Sequence, residues 1–267
     1  MSEPVLSVRD ASLAFGDRTL WSGLDLDVAP GEFIAVLGQN GTGKTTLVKA
    51  ILGQQELTGG TIAIAGEPVR SGRADVGYIP QQKLLAEGTP LRGRDLVGLG
   101  LSGTRWGLPI PRRGERQRVD AVLEAVGATR YANHPVARLS GGEQQRLRVG
   151  QAIANHPVLL LCDEPLLSLD LAHQRIVSEL IDDERRRTRA AVLFVTHDIN
   201  PVLEMVDRVL YLAGGSFRIG TPDEVLRSDV LSALYGTPVD VIRSRGRLVV
   251  VGAPEDHGDH HAAEEAS

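Results

Sequence analysis

At 267 residues the chain allows one large α/β domain or two small ones. Hydrophobic residues make up 42%, aromatics only 4% and the net charge is −5, so a mostly aliphatic core is affordable and no concentrated basic face of the kind nucleic acid needs is present. The single cysteine, Cys162, excludes an intramolecular disulfide. No apolar run reaches the roughly 18 residues of a membrane-spanning helix.

Met1 to Asp10 holds acids and a proline and no apolar h-region, so no secretory signal is expected and the chain reads as cytosolic. Val5 to Phe15 and Thr19 to Val28 alternate loosely and predict antiparallel strands. Phe15, beside Gly16-Asp17, is open to two readings: a ring stacked on a nucleotide base, or a core phenylalanine. Pro30-Gly31 is a turn that delivers the chain into Phe33–Leu37, a short apolar run suited to a buried parallel strand.

Gly38-Gln39-Asn40-Gly41-Thr42-Gly43-Lys44-Thr45 follows at once, and Thr46 to Leu52 predicts a helix stopped by Gly53. Strand, glycine-rich loop and helix in that order aim backbone N–H groups and a helix N-terminus at one point, which suits a polyphosphate. Lys44 supplies a point charge for the β- and γ-phosphates, and Thr45 offers a hydroxyl to Mg²⁺.

Thr61 to Ala65 predicts a strand closed by a Gly66-Glu67-Pro68 turn. Val76 to Ile79 predicts another, ending at Pro80-Gln81-Gln82. Residues 83–138 turn rich in Gly, Arg and helix formers and read as a helical insertion. Within it, Leu91 to Leu101 is a helix loosened by glycines, Arg112, Arg113, Arg116 and Arg118 form a solvated basic cluster, and Gln117 to Val126 is a helix ending at Gly127.

Ser140 and Glu143 have capping-box spacing, with Gly141 and Gly142 leaving N–H groups open at a helix entrance. Val158 to Glu164 is an apolar strand that delivers Asp163 and Glu164 to its C-terminal end, where Asp163 would hold Mg²⁺ and Glu164 would polarise an attacking water. Cys162 reads as a small core residue. Ala190 to Val195 is a third buried strand, placing His197 at the same sheet edge. Val209–Leu212 and Ser216–Ile219 predict a hairpin across Gly214-Gly215, Thr221-Pro222-Asp223-Glu224 a helix start, and Val239–Ile242 with Arg247–Val251 a last hairpin. From Ala253 the chain is acidic and bears His257, His260 and His261; it reads as a disordered tail, either a metal-handling segment or merely a polar one.

These motifs, in this order and spacing over roughly residues 5–235, resemble the ATP-binding subunit of an ABC transporter. The resemblance implies an α/β fold: a P-loop NTPase core with a mostly parallel sheet, an N-terminal antiparallel β-subdomain and an inserted helical subdomain. It divides residues 1–252 into a core of about 1–82 and 139–220, a helical part of about 83–138 and a C-terminal helix and hairpin of about 221–252.

It implies that ATP is bound by Phe15 and by Gly38, Gln39, Asn40, Gly41, Thr42, Gly43, Lys44, Thr45 and Thr46. Thr45, Gln81 and Asp163 would serve Mg²⁺, and Glu164, His197 and Gln81 would serve catalysis. Ser140, Gly141, Gly142 and Asp170 would complete the site of a second copy, so that a head-to-tail homodimer sandwiches the nucleotides. Leu167 departs from the family, standing where many relatives carry a small residue. The implied partners are a membrane permease docked by residues 83–138 and, through it, a substrate-binding protein; no nucleic-acid partner is expected. The implied location is the cytoplasmic side of the membrane, held peripherally. The Leu234–Val239 segment and final hairpin resemble zinc/manganese-type importers, with iron–siderophore import as the competing cargo. A soluble non-transport ABC ATPase is a third reading, set back by the absence of a second cassette or a long coiled-coil insertion.

Overall fold

The computed structural model describes residues 3–81, 90–102 and 114–252. Gln82, Arg112, Arg113 and the histidine-bearing tail lie outside the described residues.

The chain opens as an antiparallel pair, β1 (Leu6–Phe15) and β2 (Arg18–Val28), whose alternation buries Leu6, Val8, Ala11 and Leu13 on one side. β3 (Phe33–Gly38) leaves this sheet, and α1 (Lys44–Ile51) follows the glycine-rich loop. β4 (Gly59–Ile64) returns to pair with β1, and β5 (Glu67–Pro68) adds the edge, giving the order β2-β1-β4-β5. The turn expected over Gly66 to Pro68 sits one residue earlier. Ala65 and Gly66 take the positive φ values of 50° and 77°, and Glu67 and Pro68 already pair with Ile64 and Ala63. Proline is tolerated there because the strand is an edge.

The main sheet collects β6 (Val76–Ile79), β7 (Leu159–Asp163), β8 (Ala191–Val195), β9 (Arg208–Ala213) and β10 (Ser216–Gly220) around β3, in the order β10-β9-β3-β8-β7-β6. All neighbours are parallel except the β9–β10 hairpin. The central strands are apolar on both faces, as a sheet covered on both sides requires. Phe33, Ala35 and Leu37 face one core with Cys162 and Phe194, while Ile34 and Val36 face the other with Leu161 and Leu193. The first core is closed by helices, the second by α1 and the antiparallel sheet.

The helical layer comprises α2 (Gly93–Ser102), α3 (Glu115–Ala125), α4 (Gly141–Ile153) and α5 (Leu171–Thr188). α5, the longest of the described helices, is absent from the sequence-based expectations. Its buried side carries Val177 and Ile181 but also Asp182 and Glu184, with Arg185 and Arg186 bonded to Asp182 and Arg187 to Glu184. An apolar stripe interrupted by paired charges does not present the helical period. The described residues close with α6 (Pro222–Val225), α7 (Ser228–Tyr235) and the hairpin β11 (Asp240–Ser244) with β12 (Arg247–Val251). None of the described helices is long and apolar enough to cross a membrane.

Gly100 of α2, one of the glycines expected to loosen it, has a packing role instead. α2 packs on α4 so closely that a Cβ on Gly100 would lie 2.0 Å from the Gln151 carbonyl oxygen. Gly100→Ala should therefore destabilise the chain by about 1–3 kcal/mol, the range for overpacking, despite alanine's better helix propensity. Urea denaturation measures it; a neutral or stabilised variant would show that the α2–α4 approach is not tight.

Candidate functional site

The register of the parallel strands assembles the site. Val36 of β3 stands opposite Val195 of β8, and Val195 stands opposite Asp163 of β7, while Ile79 of β6 pairs with Cys162. The loops after β3, β6, β7 and β8 therefore leave the sheet at one edge, where ligands of open α/β sheets bind.

After β3 the backbone reverses through Gly38, whose φ of 143° and position against β9 exclude a side chain: a Cβ would lie 2.2 Å from the Leu212 carbonyl oxygen. Gly43 is the N-cap of α1 and supplies no side-chain cap, so the helix presents its first N–H groups and its positive end to the loop. Thr42 Oγ1 donates to the Gln39 carbonyl at 2.9 Å. Lys44 is 5% exposed, and its ammonium donates to the carbonyls of Gly38 and Gln39 at 2.7 Å each. Burial pushes its pKa down, opposed by the negative charges of Glu164 and Asp163.

Asp163 is buried at the end of β7 and accepts a hydrogen bond from Thr45 Oγ1 at 3.2 Å. Burial, reinforced by Glu164, raises its carboxyl pKa against the Thr45 hydrogen bond and the Lys44 charge. The next residue, Glu164, takes a left-handed φ of 48°, and its N–H bonds the Val195 carbonyl at 3.0 Å. This strained backbone turns the Glu164 carboxylate to His197, with Oε2 3.1 Å from Nδ1. Two hard oxygen donors, the Thr45 hydroxyl and the Asp163 carboxylate, thus meet beside a second carboxylate. That donor set, and its excess negative charge, fits Mg²⁺, which binds through one or two carboxylates and completes its shell with phosphates and water.

Gln81 is exposed just beyond β6. Phe15 is 52% exposed, which excludes the core reading of that ring. Arg18 Nη2 donates to the Gly41 carbonyl at 3.1 Å, and a cavity of about 370 Å³ opens there between Arg18, the Gln39–Thr42 backbone and Tyr235. Ser140 and Asp170 form their described bonds elsewhere. Ser140 and Glu143 close a reciprocal capping box at α4, with Ser140 N to Glu143 Oε2 at 2.9 Å and Glu143 N to Ser140 Oγ at 3.3 Å. Asp170 caps α5. Sequence reasoning passed over Arg18 and also His173, whose signal was its place three residues after the capping aspartate.

A model of the ABC transporter family matches residues 21–167. The zinc import ATP-binding protein ZnuC of Paracoccus denitrificans is 34% identical over 88% of this chain and 86% of its own length. The aliphatic sulfonates import ATP-binding protein SsuB of Pseudomonas fluorescens is also 34% identical, over 84% of this chain and 80% of its own. A solved structure described as an ABC transporter of metal-chelate type, in an inward-facing conformation, superposes with a TM-score of 0.77 at 28% identity, covering 93% of this chain and 96% of that one. The chain belongs to the ABC transporter family and is one of its ATP-binding, ATP-hydrolysing subunits, which pair with permease subunits in transporter complexes.

The charge at Asp163 has a stability consequence. Its raised pKa means that the folded, nucleotide-free chain holds this proton more tightly than the unfolded chain does. The group's contribution is therefore best at low pH and declines as pH rises through the ordinary carboxylate range. Asp163→Asn should raise the Tm of the nucleotide-free chain at neutral pH while abolishing Mg²⁺-dependent ATP hydrolysis. Calorimetry in a chelator and a phosphate-release assay check the two halves, and an unchanged or lower Tm would contradict the assignment.

Proposed function

We propose that this subunit powers import of a divalent metal ion, zinc or manganese, by closing head-to-tail with a second copy of itself around ATP. The observation that carries the motor half of this reading is the convergence of Lys44, the Thr45–Asp163 pair and the Glu164–His197 pair at one sheet edge. In it, Lys44 exchanges two backbone carbonyls for the β- and γ-phosphates, the loop N–H groups of Gly38 to Thr46 cradle the polyphosphate, and Phe15 lies under the base. Bound by Thr45 and Asp163, with Gln81 alongside, Mg²⁺ would neutralise phosphate charge. Glu164 orients and accepts a proton from the attacking water, and His197 holds that carboxylate in place.

Ser140, Gly141, Gly142 and Asp170 reach the nucleotide of the second copy in this reading. The surface supports it: Leu171, next to Asp170, is 71% exposed, an apolar side chain that a second copy would cover. A two-fold head-to-tail pair buries the same patch on both subunits and makes two equivalent sites. Residues 83–138 dock the permease, which holds the subunit at the cytoplasmic face of the membrane, and a substrate-binding protein acts through the permease.

The metal cargo rests on the relatives. The zinc and sulfonate import proteins are equally identical, at 34% over 88% and 84% of this chain. A second sulfonate import protein is 38% identical over 79%, so the likeness to the metal-chelate type structure is what favours metal. The metal-chelate type structure covers 93%, which leaves an iron chelate as a cargo of the same class. The sulfonate relatives keep an organic anion as the second reading.

Glu164→Gln should retain ATP affinity and lose about a thousandfold in hydrolysis, the middle of the range for a general base. Single-turnover phosphate release measures it, and near wild-type turnover would remove Glu164 from its role. In vesicles containing the cognate permease and binding protein, Zn²⁺ or Mn²⁺ should stimulate ATP hydrolysis, whereas stimulation by an alkanesulfonate or ferric chelate alone would replace the proposed cargo.

A further inference from the structure

His173 is used by none of the chemistry above, yet it touches both elements that reach the second copy. Asp170 Oδ1 accepts the His173 backbone N–H at 2.8 Å as the cap of α5. The same carboxylate takes the ring: Nδ1 lies 2.9 Å from both Oδ1 and Oδ2. A carboxylate only accepts, so Nδ1 carries the hydrogen and the ring orientation is fixed by that bond. The Cδ2 side of the imidazole packs against Gly142, in the first turn of α4. A Cβ on Gly142 would come within 2.1 Å of His173 Cδ2 and 2.7 Å of Nε2. One side chain therefore spans the gap between the Asp170 loop and the glycine pair that opens α4.

We propose that His173 is a positioning residue, a strut that sets the spacing between Asp170 and Gly142 so that both meet the nucleotide of the partner copy together. This rests on the head-to-tail reading above. The pair is too exposed, at 32% and 66% of the two side chains, to add much stability. Its consequence is geometric. Held at one end by a two-oxygen hydrogen bond and at the other by contact with a residue that has no side chain, the ring leaves the two elements little independent movement. Without it, each capped helix remains folded, but the spacing between their N-termini is no longer set by a common group.

The test uses the full chain in the Glu164→Gln background, in which the head-to-tail reading expects ATP-bound dimers to accumulate. Sedimentation measures dimer affinity with ATP. The His173→Leu change should weaken the dimer about tenfold, the scale of one hydrogen bond to a charged group, with the ATP affinity of the monomer and its Tm unchanged. In the chain with Glu164 intact, the same change should lower kcat and leave KM for ATP in place. The His173→Asn change, which retains a planar N–H donor, should recover part of the dimer affinity. Equal dimer affinity in parent and His173→Leu chains overturns the strut and leaves the head-to-tail reading standing. A lowered Tm without recovery by asparagine reduces His173 to a fold-stabilising residue and also overturns it. A Glu164→Gln parent that fails to dimerise with ATP overturns the head-to-tail reading, and the strut with it.

Discussion

The register shared by β3, β8 and β7 governs where every reactive group of this molecule stands. Val36, Val195 and Asp163 lie side by side across the three strands, so the phosphate loop, the acid pair and His197 leave the sheet together. The two cores lock that register. A slip of one residue in β7 would exchange Leu160 and Cys162 with Leu159 and Leu161 between the two packed faces. It would also turn the Asp163 side chain to the opposite side of the sheet, away from Thr45. Packing of aliphatic side chains thereby sets a polar distance.

The site built at that edge is costly to the ligand-free fold. A lysine is buried with only carbonyl partners described for its ammonium, a carboxylate is buried beside another, and Glu164 and Ser168 hold left-handed φ values of 48° and 63°. The two backbone conformations are local strain, and the buried charges of Lys44 and Asp163 are what an anionic nucleotide with its cation would compensate. Binding energy is then available to change structure as well as to hold the ligand. Such an arrangement suits a subunit that alternates between an open and a closed pair.

Much of this was legible in the residues, because the elements that carry chemistry are locally encoded. The loop from Gly38 to Thr45, the capping box at Ser140 and the apolar run into Asp163 each announce themselves within ten residues, and the alternation of the first strands announces the antiparallel sheet. What escaped was determined by distant parts of the chain. α5 hides its helical period because its buried acids are paired with its own arginines. Gly100 resembled a helix weakness until α4 was seen against it. The reading of Phe15 as core fell because exposure depends on what else covers a strand end. His173 carried only an i, i+3 relation to Asp170, and its contact with Gly142 joins residues thirty-one positions apart through the packing of α4 on α5.

The central claim is that one copy's phosphate loop is completed by another copy's α4. Cys162 is fully buried and its thiol pKa is pushed far up by burial, so engineered surface cysteines would be the reactive ones. The direct measurement is disulfide formation in a chain carrying Asn40→Cys and Ser140→Cys, read on a non-reducing gel. The account predicts a covalent dimer that forms with ATP and not with ADP or without nucleotide. A chain that binds ATP yet stays monomeric, or that closes the bridge within itself, would contradict it.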